Sequence, residues 1–112
     1  MQMGSFQYDR CAAIEIDDRT LAHLQAVILD KLRRNESFAF DVSDEKRWVS
    51  CWLNQRTALE FRYTGNRRAA LNHEWLELLA DEVGMHGVLR LVPEPVPAPV
   101  VMPRVAGVPA QV

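Results

Sequence analysis

No proline precedes Pro93, although the chain has six in its 112 residues. Everything up to that point is free to enter helix or sheet. The segment from Pro93 onward can neither donate a continuous ladder of hydrogen bonds nor sustain a helix. Cysteine is scarce as well. Cys11 and Cys51 are the two present, with no Cys-x-x-Cys and no Cys/His ligand spacing, which argues against a zinc knuckle or a disulfide-built scaffold. Lysine is limited to Lys31 and Lys46. No apolar run reaches the roughly 20 residues that cross a bilayer, and Met1-Gln2-Met3-Gly4-Ser5 has neither the basic nor the apolar region of a secretory signal. A cytoplasmic setting without membrane contact is expected, with both thiols reduced and buried as small apolar fillers. Thirteen basic residues against fifteen acidic give a net charge of −2. That argues against a dedicated nucleic-acid coat and leaves room for a local basic patch.

What is present describes one ordinary globular domain, 48% hydrophobic and 25% charged. Phe6 and Tyr8, then Ile14 and Ile16, alternate on either side of Asp9-Arg10 and read as a hairpin. Asp17 or Asp18 is placed to cap a helix over 18–34, in which Leu21, Leu24, Val27, Ile28 and Leu32 recur at helical spacing. Asn35 suits the left-handed exit. Strands follow at 37–42, 48–53 and 58–63, expected as a three-stranded antiparallel meander. Asn72 is the expected N-cap of a second helix, with Leu71 and Leu76 as a hydrophobic staple. Its buried stripe is Trp75, Leu78, Leu79 and Val83, and Gly84 is expected to end it. A last strand covers 88–92. The predicted fold is therefore α+β, order ββαβββαβ, with two helices packed on one face of a mostly antiparallel sheet. The domain spans 5–92, and 93–112 is expected as a disordered proline-rich tail.

Several stretches carry a family resemblance. They are Met3-Gly4, the run from Ile14 through Asp17-Asp18-Arg19 to Leu24, and the helix exit from Lys31 through Asn35 to Phe38. Trp52-Leu53, Phe61-Arg62-Tyr63-Thr64-Gly65, Leu71-Asn72 with Trp75, and the closing Leu89 to Pro95 complete the set. Together they resemble a family of small uncharacterised bacterial proteins, many of which carry the automatic label "ATP-dependent DNA ligase". The family tends to place a His-Pro pair after Trp-Leu. Asn54-Gln55 stands there in this chain.

The ligase label implies an attacking lysine, usually in Lys-x-Asp-Gly, with carboxylates to hold metal. Lys31 precedes Leu32-Arg33-Arg34, and Lys46 precedes Arg47-Trp48-Val49. Neither fits, and no glycine-rich phosphate loop occurs. Catalytic residues, a metal and a cofactor are not expected. His23, His73 and His86 have no ligand spacing and read as surface histidines. Trp48 and Trp52, which share one side of their strand, read as core, with a stacking platform as the alternative.

The functional candidates that remain are basic: Lys31, Arg33 and Arg34 at the end of the first helix, and Arg62, Arg67 and Arg68 around the strand-to-helix turn. Converging on one face, they would grip phosphates. Otherwise they serve the helix dipole and solvate a turn. The expected function is a non-catalytic binding or accessory module of unknown partner, a protein or, more weakly, a nucleic acid. The alternative is a nucleic-acid-binding or ligase-associated protein.

Overall fold

The computed structural model describes residues 2–43, 47–66 and 68–96. Its elements are β1 (Met3–Tyr8), β2 (Ile14–Asp17), α1 (Asp18–Arg33), β3 (Phe38–Ser43), β4 (Trp48–Leu53), β5 (Leu59–Arg62), α2 (His73–His86) and β6 (Val88–Arg90). The class and the order ββαβββαβ are as the sequence suggests. Residues 97–112, most of the proline-rich tail, lie outside the described residues.

The six strands divide into two three-stranded sheets, ordered β2-β1-β5 and β4-β3-β6. All pairs are antiparallel except β3 with β6, which is parallel and follows the crossover through α2. The expected meander is corrected, because β5 pairs with β1 and not with β4. Two features send it there. The turn 54–57 is closed by Asn54, whose side-chain oxygen accepts from the Arg56 N–H at 2.8 Å. Asp9 then clamps the start of β5: its carboxylate accepts from the Ala58 N–H at 3.0 Å, and its own N–H donates to the Ala58 carbonyl. Phe61 comes to rest beside Phe6, ring centres 5.4 Å apart, and Phe6 meets Phe40 edge-on at 5.2 Å. These rings carry the core from one sheet into the other.

Asp17 caps α1 by accepting from the Thr20 N–H, and Asn72 caps α2 by accepting from Glu74 and Trp75. Asn35 takes the left-handed exit at φ 60. Gly84 does not end α2. The helix continues to His86, and Gly87 takes the left-handed position at φ 70, its N–H bonded to the Val83 carbonyl. Gly87 delivers the chain directly into β6, whose Leu89 is fully buried. That packing outweighs the weak helix preference of Gly84. His86 therefore belongs to the last turn of α2, and Leu78 is exposed while Trp75, Leu79 and Val83 face the core.

Gly4 in β1 is dictated by close approach. A Cβ there would lie 2.2 Å from the Arg62 carbonyl oxygen, a backbone atom that cannot swing aside. Cys51 is buried as expected, and Cys11 is exposed because it falls in the turn after β1. The reading of Trp48 and Trp52 as core is also corrected. Alternation along β4 turns Cys51 and Leu53 inward against Phe38, Phe40 and Val42, leaving Trp48 69% and Trp52 60% exposed.

Candidate functional site

One face of α1 is left partly uncovered by the sheets. Asp18, Ala22, Gln25, Ala26, Leu29 and Arg33 recur along it at spacings of three and four. Facing this stripe is the stretch from Tyr63 to Leu71 that joins β5 to α2. Between them lies a cleft of about 830 Å³. A helix of 16 residues is roughly 24 Å long, so the cleft is an elongated trough along α1.

Its two ends differ in charge. At the N-terminal end the acids are already engaged. Asp17 is the helix cap, and the Asp18 carboxylate accepts from the Thr64 hydroxyl at 2.9 Å and from its N–H. In the middle the Tyr63 hydroxyl donates to the Gln25 side-chain oxygen. Burial pushes the Tyr63 phenol above its ordinary value, Asp18 adds to the shift, and the Arg68 guanidinium opposes it. Arg33 and Arg68 line the trough, and neither has an ion-pair partner among the described residues.

The six basic candidates are thus sorted. Arg33 and Arg68 both line the trough. Lys31 does not join them: its side chain is 13% exposed and lies 3.3 Å from Glu36. Arg34 pairs with Asp30 one turn back at 3.4 Å, and Arg62 pairs with Glu60 on its own strand. Arg67 lies outside the described residues. In each of these three pairs the carboxylate comes from within five residues along the chain, and Asp30 and Glu36, which also flank Arg33, are taken by Arg34 and Lys31.

Sequence reasoning missed the joint at the N-terminal end of the trough. His23 is fully buried, which corrects its surface reading. Nδ1 lies 2.7 Å from the Arg19 carbonyl, and Nε2 lies 2.8 Å from the Asn72 N–H. The Asn72 N–H can only donate, so Nε2 is the acceptor and the proton sits on Nδ1. The ring also stacks on Trp75 at 4.4 Å. Arg19 holds Glu94 through two parallel hydrogen bonds, at 2.9 and 2.6 Å, and donates to the Ala70 carbonyl. Asn72 donates to Glu94 as well, and the Trp75 indole N–H donates to the Val92 carbonyl at 2.8 Å. The chain is therefore held against the domain through Glu94, two residues past the boundary read at Val92. No local signal marks Arg19 or Glu94, since each is defined by the other across 75 residues.

Gln55 donates to the Leu32 carbonyl at 3.1 Å and ties the β4–β5 turn to the end of α1. Among the described residues no group of three or more histidine, cysteine or carboxylate side chains is placed to hold a metal ion. No helix among them is long and apolar enough to cross a membrane.

Fold and site define a small α+β domain with an open trough beside its first helix and, among the described residues, no strand paired to the outer side of β4 in its second sheet. The chain belongs to an uncharacterised family, described as "Domain of unknown function (DUF7882)", whose model matches residues 3–94. That match begins where β1 begins and ends on the glutamate that Arg19 holds. No curated protein and no solved structure matches the chain.

Proposed function

We propose that the protein is a non-catalytic binding module whose trough beside α1 takes an acidic, partly apolar segment of a partner protein. One observation carries this reading. Arg33 and Arg68, from separate parts of the chain, line the same cleft without ion-pair partners among the described residues, while the acids of that cleft are occupied. Ala22, Ala26, Leu29 and Leu71 give the trough an apolar floor. Such a surface favours an extended segment with small apolar side chains and a carboxylate at one end.

Single-stranded nucleic acid is the second reading, favoured by the exposure of Trp48 and Trp52. It is the weaker one. The tryptophans stand on β4, and Arg90, in the same cross-strand row as the Ser50 between them, lies 3.9 Å from Asp41.

Fluorescence anisotropy with a labelled acidic-apolar peptide and a labelled oligonucleotide, each at low and physiological salt, tests the assignment. The peptide is expected to bind, less tightly as salt rises. Arg33→Ala and Arg68→Ala should each weaken it by at least about tenfold, since a hydrogen bond to a charged group is worth roughly 1.5–3 kcal/mol. Binding of the oligonucleotide alone would move the conclusion to the second reading. If neither probe binds at low salt, both readings fail.

A further inference from the structure

β4 is an edge strand. β3 lies on one side of it, and among the described residues no strand pairs with the other. Its outward face carries Trp48, Ser50 and Trp52, with Ser50 donating to the Asp41 carboxylate at 2.6 Å. With more than half of each ring in solvent, indole side chains of roughly 250 Å² each leave about 300 Å² of aromatic surface on this one strand. That approaches the largest apolar patch of an ordinary monomer. Open edges are normally blunted by proline, lysine or an inward charge. The sequence Trp48-Val49-Ser50-Cys51-Trp52-Leu53 contains none of these.

The strand also reads alike in both directions about Ser50: aromatic, apolar, serine, apolar, aromatic. We propose that β4 pairs antiparallel with β4 of a second copy of this chain, about a twofold axis through Ser50. In that register Trp48 stands opposite Trp52 of the other copy, and Val49 opposite Cys51. Two aromatic cross-strand pairs form on the outer face. The two three-stranded sheets become one sheet of six, and the unpaired backbone groups of both edges are satisfied. The interface is closed by its symmetry, so association stops at the dimer. Its area falls below the roughly 800 Å² per partner of a stable complex, so the dimer forms in a concentration-dependent way. This inference is independent of the trough beside α1.

Sedimentation velocity of the full chain over a concentration series tests it, with acrylamide quenching of tryptophan followed in parallel. The expected result is a doubling of mass as concentration rises, with two of the three tryptophans losing accessibility. Trp75, buried and bonded to Val92, is the internal control that does not change. Position 50 meets itself across the axis. Ser50→Lys and Ser50→Glu should therefore each abolish dimerisation, and an equimolar mixture of the two should restore it. Trp52→Ala should weaken association by at least about tenfold. Circular dichroism of each variant checks that the fold is kept. A chain that stays monomeric throughout overturns the proposal, whether its tryptophans remain open or are covered by residues 97–112 of the same molecule. So does a dimer that survives both Ser50 substitutions, or a mixture that fails to restore it.

Discussion

His23 is worth more to this molecule than its place among polar residues suggests. One ring satisfies the Asn72 N–H with Nε2 and the Arg19 carbonyl with Nδ1, and lays its face on Trp75. It thereby joins α1 to the start of α2 without a charge in the core. Replacing it with leucine keeps the volume and strands the Asn72 N–H, while the Arg19 carbonyl keeps its bond within α1. His23→Leu should cost about 1–3 kcal/mol, the desolvation of one buried donor left unpaired. Urea unfolding followed by far-ultraviolet circular dichroism measures it, and a loss well under 1 kcal/mol would show that water replaces the ring there. Sequence periodicity could not reveal this residue. Thr20, Leu24, Val27 and Ile28 are buried around it, so α1 hides a broader face than its leucine stripe implies, and a polar residue inside that face needs a partner only the tertiary structure supplies.

At the scale of the element, the ends of the helices are where sequence and structure agree best. Asp17, Asn35 and Asn72 act through their own side chain or backbone on residues two to four positions away, so their chemistry is local and legible. Asn72 does more than cap. Its side-chain oxygen accepts from Glu74 and Trp75 while its amide donates to Glu94, and its own N–H reaches His23. Asn72→Ala should therefore lose the ordinary cap contribution of about 1–2 kcal/mol and also loosen the segment around Glu94. Asn72→Asp keeps the cap and sets a carboxylate against Glu94. Hydrogen exchange at Trp75 and at its indole N–H separates the two effects. Cap loss alone raises exchange at the start of α2, while release of the segment raises it at the indole. Strand partners were less legible. Phe38, Phe40 and Val42 announce their face by alternation, but nothing near β5 states that its partner lies at the other end of the chain. On β4 both faces carry large apolar side chains, and it is the pairing with β3 that sets Cys51 and Leu53 beside the buried Phe40 and Phe38 and leaves the tryptophans outward. The candidate site was half legible for a similar reason. The basic residues were visible as a set, but which of them keep a free charge depends on Asp30, Glu36 and Glu60 reaching Arg34, Lys31 and Arg62 first.

Over the whole molecule, the contact that closes the chain is the pair Arg19–Glu94, which brings the start of α1 against the segment following β6. The Arg19 hydrogen bond, with a second from Asn72, lowers the Glu94 carboxyl from 4.5 to about 2. A carboxylate depressed in the folded state contributes stability that is fully present above its unfolded value and is lost as pH falls through its folded value. The contact is accordingly intact at neutral pH and fades between about pH 4.5 and about pH 2. Because Glu94 lies at the surface, outside the core that joins the sheets, protonation should free residues 93–96 while the two sheets stay folded. A carboxyl-detected NMR titration of Glu94, read beside the Arg19 guanidinium resonances, should show both moving together in that window. In Glu94→Gln the Arg19 resonances should start at the released position at neutral pH and no longer titrate there. An Arg19 signal that follows the same acid transition in Glu94→Gln as in the natural chain would place the responsible carboxylate elsewhere, with Asp17, also felt by Arg19, the next to examine.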